Sequence, residues 1–210
     1  MNKTHYIFVV ILITLFLCIE QSDAKSNFIR VSLTKGVTVD LPSNWSVMSA
    51  NKRITLDAWK ESVLEARKLS DIENELAFTA NYYDDNGNTA GMFAIRFYPN
   101  LDVTESEAVA GGTAFIKELD EGVKQNFKLG LEAGGGKLVS WLGTATQSIN
   151  GSTYFISKNR QISPRGDRFR GIIVRYLNDG KSFTIIISYR EDQEFYLKPI
   201  CDKIISSIRH

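Results

Sequence analysis

The chain has 210 residues, 43% of them hydrophobic, with 25 basic and 24 acidic side chains and a formal net charge of +1. That balance excludes the electrostatic footprint of a nucleic-acid binder or of a protein held on an anionic membrane, since either needs a strong basic excess. Only two histidines and two cysteines are present, and His5 and Cys18 fall at the very start, so a Ser-His-Asp triad, a Cys-His pair, a His-rich zinc site or a haem ligand has almost nothing to draw on.

The N-terminus has the three parts of a secretory signal: a short positive start with Lys3 and His5, an apolar run over residues 6–19, and small residues Ser22 and Ala24 ahead of Lys25. The run is shorter than the ~20 residues a spanning helix needs. Cys18 follows Leu17 and Phe16, where lipid attachment calls for a small residue, so lipidation is set aside. The expectation is therefore a signal over residues 1–24 and a single domain over 25–210, with no membrane span after cleavage. Its expected location is the periplasm or medium of a bacterium. Loss of Lys3, Glu20 and Asp23 moves the formal charge to +2, and Cys201 remains as the one cysteine, so no internal disulfide is available and packing must supply the stability.

Residues 28–41 alternate and are rich in β-branched types, which predicts two short strands turning at Gly36 and ending at Pro42. Thr55 offers a helix N-cap, and Leu56, Trp59, Val63 and Ala66 follow at helical spacing. Strands over 75–83 and 89–98 flank Asp84-Asp85-Asn86-Gly87-Asn88, a hairpin signal. Thr104 and Glu107 form a capping box opening a second helix, whose stripe is Ala108, Gly112, Ile116, Leu119, Val123 and Phe127. Gly111 and Gly112 lie inside that helix, which implies close packing on the sheet, and Gly134-Gly135-Gly136 ends it. Strands follow over 137–149, 152–163, 168–177 and 181–189, with turns at Asn150-Gly151 and 178–180. A last helix over 198–208 carries Pro199 in its first turn and Cys201, Ile204, Ile205 and Ile208 on one face. The predicted fold class is α+β: one antiparallel sheet flanked by about three helices.

Three features resemble the Mog1/PsbP-like group of domains, which includes the bacterial DcrB-type periplasmic proteins. They are the strand pair ending in Val39-Asp40-Leu41-Pro42-Ser43-Asn44-Trp45, the succession of helix, hairpin, long helix and strand meander, and the finish through strand 183–189, Pro199 and a helix ending in Ile204-Ile205-Ser206-Ser207-Ile208. The resemblance implies a fold and a non-enzymatic binding or assembly role, with no catalytic set and no cofactor to carry over.

Candidate sites divide between functional and architectural readings. Asp84, Asp85, Asn86 and Asn88 cluster oxygen ligands but lack the spread and terminal Glu of a calcium loop, so a turn accounts for them. Gly134-Gly135-Gly136 leaves a helix, the reverse of a phosphate loop. The basic stretch 158–170 supplies Arg160, Arg165, Arg168 and Arg170 as a patch for an anionic partner, set against a solvated sheet rim. Arg165-Gly166-Asp167 reads as turn chemistry. Trp45, Trp59, Trp141, Tyr82, Phe93, Phe97 and Tyr98 line either an apolar pocket or the core. Cys201 reads as a buried thiol. The expected function is an exported, non-enzymatic module that engages a protein or cell-envelope component. The alternatives are a carrier for a small apolar ligand and a hydrolase using carboxylates alone.

Overall fold

A computed structural model describes residues 27–49, 75–98, 104–178 and 181–210. The predicted signal and the predicted helix with Leu56, Trp59, Val63 and Ala66 lie outside the described residues. Strands β1 (Phe28–Ser32) and β2 (Thr38–Pro42) pair antiparallel as a small sheet of their own. The large sheet is antiparallel throughout and has seven strands: β3 (Ser46–Val47), β4 (Glu75–Tyr83), β5 (Thr89–Phe97), β6 (Lys137–Ile149), β7 (Ser152–Ile162), β8 (Arg168–Tyr176) and β9 (Phe183–Arg190). Their order across the sheet is β3-β4-β5-β9-β8-β7-β6, so the meander β6 to β9 is continued by the β5–β4 hairpin. Three helices complete the described residues: α1 (Glu105–Ala110), α2 (Gly112–Ala133) and α3 (Glu194–Ser206).

One face of the sheet carries the main core. Phe93, Ile95 and Phe97 of β5, Phe183, Ile185 and Ile187 of β9, and Ile172, Val174 and Tyr176 of β8 lie in register there. Helix α3 closes it because Leu197, Ile200, Cys201, Ile204 and Ile205 recur every three or four residues and form one buried stripe. Burying each such side chain stabilises the fold by ~1.5–3 kcal/mol. Val37, just before β2, and Val39 and Leu41 of the small sheet belong to the same core. The opposite face carries α2, which rests on β6; of the residues of α2, Val123 is the buried one.

Two expectations need correction. The second helix is not continuous: Gly112 has φ +55°, a left-handed value that breaks it into α1 and α2. A methyl group at Gly112 would meet nothing within 4 Å, so the break in backbone direction, and not close packing on the sheet, is what requires a glycine there. The last helix begins at Glu194, so Pro199 sits in its interior instead of its first turn. The carbonyl left without a donor by that proline is Phe195's, and Phe195 is almost wholly exposed, so water can replace the lost bond. The capping box is present as predicted, with the Glu107 backbone N–H donating to Thr104 and the Thr104 backbone N–H donating to Glu107. Gly134–Gly136 also end α2 as predicted: the Gly136 N–H donates to Leu131 O at 2.9 Å and the Gly135 N–H to Glu132 O at 3.1 Å.

A candidate interaction surface at one end of the sheet

The hairpin loop 84–88 and the loop 163–167 have the same construction. In each, the fourth residue is a glycine with positive φ, Gly87 at +74° and Gly166 at +92°, whose N–H donates to the carbonyl of the first. The first residue also fixes the loop with its side chain. Asp84 Oδ1 accepts from the backbone of Asn86 and Asn88, and Ser163 Oγ accepts from Arg165 and Asp167. The sheet order brings both loops to one end, where Arg165 donates to Asn88 Oδ1 at 3.4 Å.

Arg190, at the end of β9, joins this end to the last helix. It donates to Asp84 at 2.7 Å and to Asp192 at 2.8 and 2.9 Å. The Asn88 amide, with the Arg190 guanidinium and the Asn86 amide behind it, holds the Asp84 carboxyl below the usual carboxylate range. The Asp84 oxygens of the candidate calcium cluster are thus committed to the turn and to an arginine.

The four arginines of the predicted patch separate into two pairs. Arg160 and Arg170 are directly opposite each other on β7 and β8, and Glu191 lies between them, 3.8 Å from Arg160 and 3.3 Å from Arg170. Arg170 also reaches Glu194 at 3.1 Å. Arg165 and Arg168 remain exposed. Phe195, next in the chain to Glu194, projects from the first turn of α3 with 98% of its surface exposed, while Leu197 two residues on is fully buried. This end of the sheet therefore carries mixed charge, with an exposed aromatic side chain one residue on from Glu194. Sequence reasoning missed Phe195 because it began the helix at residue 198; the acidic run Glu191-Asp192 with Glu194, suited to a helix N-terminus, was the available signal.

The aromatics weighed between a pocket and the core do not line one pocket. Trp45, Phe93 and Phe97 are buried in the main core with Tyr82 packed against them. Trp141 lies on the other face, where it donates to Asp120 at 2.8 Å and packs on Phe127. Trp59 lies outside the described residues. A depression of about 270 Å³ beside β6 is lined by Leu142, Ala145, Gln147, Ile156 and Lys158 among others, none of them aromatic. Cys201 is buried as expected, and burial pushes its thiol up to about 12.

His210 is held in place. Its Nδ1 lies 3.1 Å from the Tyr154 hydroxyl, its Nε2 lies 3.3 Å from Ser152 Oγ, and its ring sits 3.9 Å from that of Tyr176. A hydrolytic triad requires a carboxylate where Tyr154 stands, so the arrangement fastens the C-terminus to β7 and β8. Asn150 adds two bonds from its amide to the carbonyls of Ser206 and Ile208.

The class this fold defines is an α+β domain with an antiparallel sheet, helices on both faces and a polar, loop-built end. No protein-family model matches the sequence, and no curated protein matches it. Among solved structures it is similar to the PsbP protein of Synechocystis sp. PCC 6803, with 15% identity over 90% of this chain and 95% of that one and a TM-score of 0.49. It is also similar to LpqN of Mycobacterium tuberculosis, described as involved in cell envelope biogenesis (9% identity, 87% and 89% coverage, TM-score 0.43). A third is the Ran-binding protein Mog1p of Saccharomyces cerevisiae (9% identity, 88% and 95% coverage, TM-score 0.44). PsbP and Mog1p are the proteins whose names the resembled Mog1/PsbP-like group carries.

Proposed function

We propose that the chain is an exported, non-enzymatic binding module that engages a protein of the bacterial cell envelope through the loop-built end of its sheet. The observation that carries this reading is Phe195: a fully exposed phenyl group on the first turn of a helix whose other side is locked into the core. An ordered aromatic on a rigid element is the form that interface anchors take, because it contributes large contact area at little entropic cost. Arg165 and Arg168 supply the polar rim, and Arg160 and Arg170, tied to Glu191, fix its shape. The expected site of action is the periplasm or medium, after removal of residues 1–24.

A photo-crosslinking residue at position 195, expressed in the source organism, tests the reading. The expected result is one dominant protein adduct that disappears in the Arg165→Ala, Arg168→Ala double variant. A free monomer as the sole product in intact cells, or an adduct pattern indifferent to both arginines, refutes it. N-terminal sequencing of the exported form is expected to begin at Lys25.

A further inference from the structure

The two edges of the large sheet are guarded differently. At one stands β3, two residues long and too short to template another strand. At the other stands β6, thirteen residues long, which among the described strands pairs with β7 alone. The first half of β6 carries the devices that blunt an edge. Lys137 is charged, and the pairing with β7 slips between Leu138 and Ser140 and again between Trp141 and Thr144, where Gly143 takes a φ of +86°. The second half carries none of them. Residues 144–149 pair with β7 without a slip, and they include no charge, proline or glycine. Ala145, Thr146, Gln147 and Ser148 are exposed in succession, so both faces of the strand are open there.

The depression of about 270 Å³ lies on this same stretch, lined from β6 by residues 142–147 and from β7 by Ile156 and Lys158. Ala145 stands directly opposite Ile156, and with half-exposed Leu142 they supply its apolar lining. Lys158 stands opposite the slip at Leu142-Gly143. It is exposed and has no hydrogen bond or ion pair among the described residues.

An unpaired backbone edge beside an apolar hollow is the form in which sheets accept an added strand: the ladder gives affinity, and the hollow selects a side chain. A second copy of this chain could join the ladder but would leave Lys158 unanswered, because β6 contains no acidic residue. The strand that fits therefore comes from another polypeptide and brings its own carboxylate. The sheet is antiparallel throughout, and a strand added in that sense passes Ala145 and Ile156 before it reaches Lys158. Side chains two residues apart share a face of a strand, so the apolar residue precedes the acidic one by two.

We infer that residues 144–149 of β6 take up an extended segment of another protein as an added antiparallel strand, through an apolar side chain followed two residues later by Asp or Glu. This surface is separate from Phe195 and its neighbouring charges and stands whether or not they form an interface.

The test is fluorescence anisotropy of the purified protein with a labelled, end-blocked peptide, Thr-Ser-Thr-Leu-Thr-Glu-Thr-Ser. Saturable binding with a Kd below about 1 mM is expected. Lysine in place of the peptide's glutamate should weaken binding about fivefold, and in the Lys158→Glu variant the preference should reverse. N-methylation of one alternate set of peptide amides should abolish binding and of the other set leave it intact, since only one set faces β6. Hydrogen exchange should slow at residues 144–149 on binding and stay unchanged at 191–195. No saturable binding by the parent protein, indifference to both N-methyl sets, or an unchanged preference in Lys158→Glu overturns the inference. A dimer whose amides at 144–149 are already protected before peptide is added gives the edge to a second copy and overturns it as well.

Discussion

Replacing Asp120 by alanine removes the carboxylate that joins α2 to the sheet. Asp120 Oδ1 accepts from Trp141 Nε1 at 2.8 Å and from Thr144 Oγ1 at 2.6 Å, and Thr144 in turn shares a 2.6 Å bond with Ser157 of β7. Apolar anchorage on this helix comes from buried Val123, from partly buried Phe115, Ile116 and Leu119 against the cluster around Phe155, and from Phe127 on Trp141. Hydrogen bonds to a charged group contribute about 1.5–3 kcal/mol each. Both are partly exposed, which favours the low end, and Thr144 retains Ser157, so the expected loss is about 2–4 kcal/mol. Asp120→Asn keeps an oxygen acceptor and should cost about 1 kcal/mol. Urea unfolding followed by far-UV circular dichroism gives both numbers, and hydrogen exchange should show α2 opening before the central strands in the alanine variant. An alanine variant within about 0.5 kcal/mol of the parent, or an asparagine variant as damaged as the alanine one, would refute the reasoning.

Further consequences follow from single contacts. A Cβ at Gly136 would lie 2.6 Å from Leu131 Cδ1 and 2.9 Å from Ile162 O, so Gly136→Ala should cost about 1–3 kcal/mol, read from the urea midpoint. Cys201 is fully buried with its thiol pushed up to about 12, so at pH 8 an aromatic disulfide reagent should label it no faster than the protein unfolds; rapid labelling of the folded protein would contradict the burial. Burial lowers the His210 pKa, against an opposing pull from Glu105 and a supporting one from Lys181. Its contribution is therefore present above the unfolded value of about 6.5 and is lost as pH falls through the lower folded value. Stability of the parent should decline between pH 7 and 5 more steeply than that of His210→Ala, and parallel curves would exclude the clamp.

What the sequence made legible is what is encoded within a few residues. The hairpin at 84–88, the box at Thr104 and Glu107, and the helix stop at Gly134–Gly136 each depend on local hydrogen bonds that the residue types dictate, and each is present. The stripe of Cys201, Ile204 and Ile205 was legible for the same reason, since helical period alone places it, whereas Ile208 is buried beyond the helix end at Ser206. Pro199 misled because a proline in a first turn and a proline in an interior whose upstream carbonyl is exposed look alike in sequence. The aromatics stayed divided between pocket and core because a strand's alternation tells that neighbours face opposite ways, without telling which side α2 and α3 will cover. Trp141 and Phe93 accordingly lie on different faces. The pairing of Glu191 with Arg160 and Arg170 depends on the sheet order, which brings β9 beside β8, and no local pattern records it.

That pairing changes what the arginine patch is. Arg160 and Arg170 stand directly across from each other, and like charges so placed destabilise a sheet by a few tenths to about 1 kcal/mol. Glu191 is the group that turns this repulsion into a bridge, and it does so from a single 3-10 turn, Glu191–Gln193, between β9 and α3. Its side chain is mostly covered while both arginines are partly wet, so the net gain is modest, below about 1 kcal/mol. The sign of the salt dependence is the sharper quantity. In the parent, salt screens an attraction, and urea midpoints should fall slightly or stay level between 0.05 and 0.5 M sodium chloride. In Glu191→Gln the two guanidiniums are left facing one another with Glu194 reaching only Arg170, and added salt screens a repulsion. Its midpoint should start lower and rise with salt. If both proteins respond to salt in the same direction, Glu191 does not organise these arginines, and this end of the sheet is held by the loops alone.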